Sequence, residues 1–164
     1  MATWADVERS ELAFAAAVRQ RLDAHRHKLI ATLRADGSPR ISGVETTFAD
    51  GDLWLGMMPD SRKARDLRRD PRLALHGGSP DPDDADPAGW PGDAKLSGRA
   101  VEVTDAEGYA RYAGGAQGAP EPGSFHLFRI DIDDVTLIRV GDPPDHLVIE
   151  TWRPGRGVER VERT

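Results

Sequence analysis

The sequence predicts a mainly β protein, a small antiparallel barrel with a few flanking helices. Three observations carry that reading. Short runs alternate apolar and polar residues at the two-residue period of a strand. They are separated by turn residues drawn from 17 Gly and 12 Pro, which supply positive φ or interrupt a ladder. Only residues 1–26, 61–70 and 104–112 carry helical spacing or capping patterns. Antiparallel strands on short turns favour closure into a barrel, because closure removes unpaired edges.

Residues 1–26 read as one helix. Thr3 and Asp6 form a capping pattern, Phe14, Val18 and Leu22 recur at four-residue spacing, and Leu12 and Ala15 widen the stripe. The period changes after His27, where Leu29, Ala31 and Leu33 alternate with Ile30 and Thr32. A turn at 34–39 leads to a strand over 40–48. Asp50-Gly51 then has the composition of a type I′ hairpin turn before a third strand at 53–58. A short helix capped by Asp60 or Ser61 precedes Pro71, and a brief strand covers 73–76. Residues 77–93 form a long acidic loop with five aspartates and four prolines, either a flap or an unstructured insert. A strand at 95–103 carries Gly98, which suggests a bulge. Thr104 and Glu107 open a helix that ends in the run Gly114-Gly115-Ala116-Gln117-Gly118. Strands at 125–132, 135–140, 146–152 and 158–162 complete a single domain over residues 1–164.

Composition narrows function. The chain has 22 basic and 28 acidic residues, a net charge of −6, which disfavours binding to nucleic acid or an anionic membrane. With no cysteine there is no disulfide, thiolate nucleophile or thiolate metal site. No apolar run approaches the ~18 residues of a spanning helix, and the opening residues meet charge at once, so a cytoplasmic location is expected.

Against that acidic background, residues 61–72 hold six basic and two acidic residues. If Ser61 caps the helix, Arg62 and Lys63 fall in its first turn, where unpaired N–H groups and the positive end of the dipole already favour an anion. Two cations there suggest a bound anion, for which Arg offers a planar fork and Lys a point charge. A solvated helix with weak Arg62–Asp66 and Asp66–Arg69 pairs explains the charge equally well.

Ser61-Arg62-Lys63-Ala64, after Leu53-Trp54-Leu55-Gly56-Met57-Met58 and before Asp70-Pro71-Arg72-Leu73-Ala74-Leu75, resembles the pyridoxamine 5′-phosphate oxidase family. Arg40-Ile41-Ser42-Gly43-Val44-Glu45 resembles that family's flavin-contacting strand. The resemblance implies a split β-barrel of Greek-key antiparallel strands and a homodimer that holds FMN at the subunit interface. It further implies an oxidoreductase acting on a small molecule. By position, Arg62 and Lys63 would grip the cofactor phosphate with Ser61 beside them, and Arg40 would reach the same side. Ile41, Ser42, Gly43 and Val44 would run along the isoalloxazine, and Gly56 and Met57 would offer backbone near the ribityl chain. The small Ser42-Gly43 pair is consistent with close approach of a flat ring.

Two departures bear on substrate. Glu45 stands where members that oxidise pyridoxamine phosphate place a phosphate-binding Lys, and residues 141–147 lack their Arg-x-His signature. An anionic Glu45 would repel a phosphate, which argues against vitamin B6 oxidation. Lys63-Ala64-Arg65-Asp66-Leu67-Arg68-Arg69-Asp70-Pro71-Arg72 also resembles relatives that use the deazaflavin coenzyme F-420, with Asp66 in place of Asn. An Arg-rich helix could hold that coenzyme's polyglutamyl tail. A flavin- or haem-carrying module without turnover is the alternative outside enzymes. No catalytic acid or base stands out. His25 and His27 read as structural or solvated before they read as metal ligands, and His76 and His126 as ordinary strand histidines. Trp54 and Trp152 read as core or interface aromatics, and Trp90 as a candidate lid.

Overall fold

A computed structural model describes residues 2–115 and 117–164; Ala116, within the Gly-rich run, lies outside the described residues. Among the described residues, eight strands form one antiparallel sheet. They are β1 (His27–Leu33), β2 (Pro39–Ala49), β3 (Asp52–Met57), β4 (Arg72–His76), β5 (Asp93–Val103), β6 (His126–Val140), β7 (Leu147–Arg153) and β8 (Gly157–Arg163). Their order is β3-β2-β1-β4-β5-β6-β7-β8, and a further β3–β6 pairing closes the first six into a barrel. The β1-β2-β3 meander followed by a return of β4 to lie beside β1 is a Greek key. This is the split barrel with flanking helices, and β7 and β8 extend from it as a hairpin.

The Asp50-Gly51 turn is as expected: both residues have positive φ, 49° and 74°, as a type I′ turn requires. The core is filled by Ile30, Leu53, Leu55, Leu75, Leu96, Phe128, Ile130 and Val135, all buried. Trp54 and Trp152 are buried as well.

Three expectations are corrected. The N-terminal segment is two helices, α1 (Trp4–Ser10) and α2 (Leu12–Asp23), broken where Glu11 leaves helical geometry at φ −147° and ψ 69°. The break lets α1 lie against β3 while α2 covers β5 and β6. Leu12 falls at this corner and is exposed, so it does not widen the apolar stripe. The expected capping box is present, with Thr3 and Asp6 satisfying each other's backbone N–H.

Secondly, 125–132 and 135–140 are one strand, β6. The Asp133-Asp134 pair looked like a turn. In the structure the register against β5 shifts between Ser97 and Gly98, leaving Asp133 as the extra residue of a bulge, and the Asp134 carboxylate accepts from the Ser97 hydroxyl. The bulge forms where Gly98 suggested it. A Cβ at Gly98 would lie 2.4 Å from the Asp131 carbonyl oxygen. Gly98→Ala is therefore expected to destabilise by roughly 1–3 kcal/mol, read from the denaturation midpoint. An unchanged midpoint would mean that the two strands separate freely.

Thirdly, α4 (Ala106–Tyr112) is capped by Asp105, whose carboxylate accepts from the Gly108 N–H at 2.8 Å, and not by Thr104. The long acidic loop holds a 3₁₀ turn at Pro87–Gly89. Trp90 donates from its indole N–H to the Pro80 carbonyl oxygen at 2.9 Å, so it closes the loop on itself. No helix among the described residues is long and apolar enough to cross a membrane.

Candidate functional site

The helix α3 (Arg62–Arg69) connects β3 to β4 and packs against β1. Ser61 is its N-cap, accepting from the Ala64 N–H at 3.4 Å. Two depressions border this helix start, one lined by Lys63 and the other by Arg62. The first is a cavity of about 580 Å³, within the roughly 300–1,000 Å³ usual for small-molecule sites. Gly43, Val44, Glu45 and Thr47 of β2 form one wall and Gly56 and Met57 of β3 another, with Lys63, Tyr112 and Phe125 around them. The second is a basin of about 400 Å³ lined by Arg34, Arg40, Arg62, Arg65 and Arg69 with Asp36 and Asp66.

The expected site residues divide between these two places. Gly43, Val44, Gly56, Met57 and Lys63 line the cavity. Arg40 and Arg62 line the basin. Ile41 points outward and is 73% exposed, Ser42 is half-buried, and Ser61 serves the helix cap. Arg62 and Lys63, adjacent in sequence, thus flank the helix start on its two sides.

Arg40 is held by an internal partner. Its Nε donates to Asp66 Oδ2 at 2.6 Å, and Arg69 pairs with the other carboxylate oxygen at 3.0 Å. Thr32, directly across from Arg40 on β1, donates its hydroxyl to Asp66 at 2.9 Å. Burial alone would raise the Asp66 pKa, but the bonds from Arg40, Arg69 and Thr32 outweigh it and hold the carboxyl below its ordinary value. Asp66, taken from the sequence as a surface partner of Arg62 or Arg69, is the buried anchor of α3.

The far end of α3 is held by Glu102 of β5, which Arg68 grips through both carboxylate oxygens at 2.8–2.9 Å from Nε. That bond, offset in part by burial and reinforced by His126, keeps the Glu102 carboxyl below its usual range.

Tyr112 and Phe125 were not singled out from the sequence. They flank the Gly-rich run, which brings the end of α4 back to the start of β6. Their rings meet edge-on at 5.8 Å, and Tyr112 meets buried Trp54 edge-on as well, at 6.2 Å. An aromatic on each side of a Gly-rich turn was the available signal. Glu45 also lines the cavity, paired with Arg26 at 3.1 Å and facing His27 at 3.4 Å. His27 lines the cavity too, whereas His25 does not. Among the described residues no group of three potential ligands is placed to hold a metal ion.

A closed Greek-key barrel with a glycine-walled cavity at the start of a cationic helix is a split-barrel architecture. The chain belongs to the pyridoxamine 5′-phosphate oxidase family, whose sequence profile matches residues 14–139. Solved structures show the same fold. A pyridoxamine 5′-phosphate oxidase-related, FMN-binding protein from Nostoc punctiforme aligns over 100% of this chain and 98% of its own, with TM-score 0.61 and 13% identity. PhzG from Burkholderia lata, solved with tetrahydrophenazine-1-carboxylic acid, aligns over 96% and 90% with TM-score 0.61 and 15% identity. A heme-binding protein from Mycobacterium smegmatis aligns over 90% and 87% with TM-score 0.54 and 17% identity. No curated protein sequence matches the chain.

Proposed function

We propose that this protein is an FMN-dependent oxidoreductase acting on a small molecule, with the flavin bound in the cavity at the interface of a homodimer. The observation that carries the reading is the cavity itself. Its β2 wall is open at Gly43, where an added Cβ would meet nothing within 4 Å. Lys63, at the start of α3, supplies a cation at the same cavity. A flat ring could lie on the β2 backbone while its phosphate reaches the helix start, so the residues present fit the group.

Bound there, a flavin supplies the hydride chemistry. The chain's own residues orient it and exclude water. Lys63, with Arg62 on the other flank, would bind the phosphate, and the β2 backbone would carry the ring. Tyr112 and Phe125 would confine the remaining space, in which Glu45 disfavours a phosphorylated substrate. The dimer is supported by apolar side chains on the outer face beside the cavity: Leu29 is 51% exposed, Ile41 73% and Met58 74%. Burying them against a second copy removes that surface from water.

Mass spectrometry of the natively purified protein is expected to find FMN, and a reductant with an acceptor is expected to give steady turnover. Bound FMN without turnover would instead indicate a carrier. A Gly43→Leu variant is expected to fold normally, because its side chain enters open space, and to bind FMN at least roughly tenfold more weakly by filling the cavity. Unchanged affinity in a folded Gly43→Leu protein would place the ring elsewhere.

Coenzyme F-420 is the second reading, favoured by the basin. Five arginines against two aspartates there suit a polycarboxylate tail running from the helix start. Tighter binding of F-420 than of FMN, lost on Arg65→Ala, would select it.

A further inference from the structure

The turn that delivers the chain into α3 is fixed by a histidine from a distant strand. Asp60, just before the N-cap, holds a left-handed backbone at φ 59°, an uncommon state for a residue with a side chain. Its N–H donates to His126 Nε2 at 3.2 Å. On the other side of the ring, Nδ1 lies 3.2 Å from Glu102 Oε1. A backbone N–H can only donate, so Nε2 carries the lone pair and the ring proton sits on Nδ1, toward the carboxylate. Glu102 simultaneously holds Arg68 in the last turn of α3. One histidine–glutamate pair therefore grips the helix at its end and the turn before its beginning.

The charged groups around the ring are few. Glu102 faces it from β5, and Arg68 of α3 reaches it through Glu102. Asp60 of the turn has its own carboxylate 3.6 Å from Arg65. On β6 the neighbour is the Phe128 ring at 6.4 Å, and the register partner on β3 is Met57.

We propose that His126 is a positioning residue for the phosphate end of the cofactor cavity, holding the Asp60 turn when its ring is neutral and releasing it when the ring is protonated. Protonation puts a hydrogen on Nε2, which then faces the Asp60 N–H donor to donor and cannot accept it. The Asp60–Ser61 link, and with it the first turn carrying Arg62 and Lys63, loses this tether and keeps the Ser61 N–H bond to the Met58 carbonyl and the Asp60–Arg65 pair. The proposal rests on the FMN reading for its consequence, although the clamp itself does not depend on the cofactor.

The test compares the wild type with His126→Gln, whose neutral amide oxygen can accept the Asp60 N–H at either pH. FMN titrations at pH 8 and pH 5.5 are expected to show affinity falling roughly three- to tenfold more in the wild type than in the variant. Ionisation of the FMN phosphate and of His25, His27, His76 and His146 is common to both proteins and cancels in the comparison. Independently, hydrogen exchange read by NMR is expected to show the protection of the Asp60 amide in the wild type falling between pH 8 and pH 5.5, after correction for intrinsic rates. Equal pH dependence of FMN affinity in the two proteins overturns the proposal, as does unchanged Asp60 protection. If neither protein binds FMN at either pH, the flavin reading has failed, and the wild-type Asp60 amide alone decides the clamp.

Discussion

Asp66→Ala is expected to lower stability by about 3–5 kcal/mol, the usual result of removing one partner from a buried ion pair. Asp66 is buried, 3% exposed, and joins three elements. It accepts from Thr32 of β1 and Arg40 of β2 while it belongs to α3, and Arg69 closes on it from the same helix. Removing the carboxylate leaves the Thr32 hydroxyl buried without this partner. It also leaves Arg40 and Arg69 uncompensated in a basin that holds three further arginines. Asp66→Asn keeps the shape and an acceptor but not the charge, so it is expected to lose less, roughly 1–2 kcal/mol. Urea denaturation of the three proteins checks this. Equal midpoints would mean that α3 is anchored by something other than its aspartate.

The same residue sets a pH dependence. Its folded-state pKa is depressed, so its contribution is fully present above the unfolded value, about 3.9. The contribution disappears as pH falls through the lower folded value. The stability of the wild type is therefore expected to drop below about pH 4 by more than that of Asp66→Asn, which has no such carboxylate to protonate. Parallel acid limbs in the two proteins would contradict the assignment.

The second large effect belongs to the helix start. Arg62→Ala with Lys63→Ala is expected to weaken FMN binding by roughly 3–6 kcal/mol, taking ~1.5–3 for each charge-assisted contact. Arg62 is exposed and lines the basin, so solvent screening places the sum near the lower bound. Lys63→Ala alone is expected to account for most of the loss, because Lys63 and not Arg62 lines the cavity. Fluorescence quenching of FMN on titration reads the affinity. Equal losses from the two single substitutions would mean that the phosphate sits between the cavity and the basin.

The sequence reading located the barrel because its signals are local. Asp50-Gly51 encodes its own turn, Gly98 marks a bulge, and Ser61 caps a helix within three residues of itself. It did not locate what depends on distant strands meeting. Asp133-Asp134 has the composition of a turn, and only pairing with Ser97 and Gly98 makes it a bulge inside one strand. Asp66 looks like a surface residue among arginines until β1 and β2 bring Thr32 and Arg40 to it. His126 and Asp60 are 66 residues apart in sequence, a separation across which no spacing pattern speaks. The cation pair at 62–63 shows the same limit: neighbours on a 3.6-residue turn point about 100° apart, so Lys63 lines the cavity and Arg62 the basin. Exposed Leu29 and Ile41 on a strand face are a different case. Alternation on β1 was legible, but which face is covered shows only in the burial of Lys28, Ile30 and Thr32.

The central claim is that the cavity beside α3 holds a phosphorylated flavin. Isothermal titration of cofactor-free protein with FMN tests it most directly. One FMN bound per chain, with affinity lost in Lys63→Ala and in Gly43→Leu, is the expected result. Saturable binding that both variants leave untouched, or the absence of binding to the folded wild type, would contradict it.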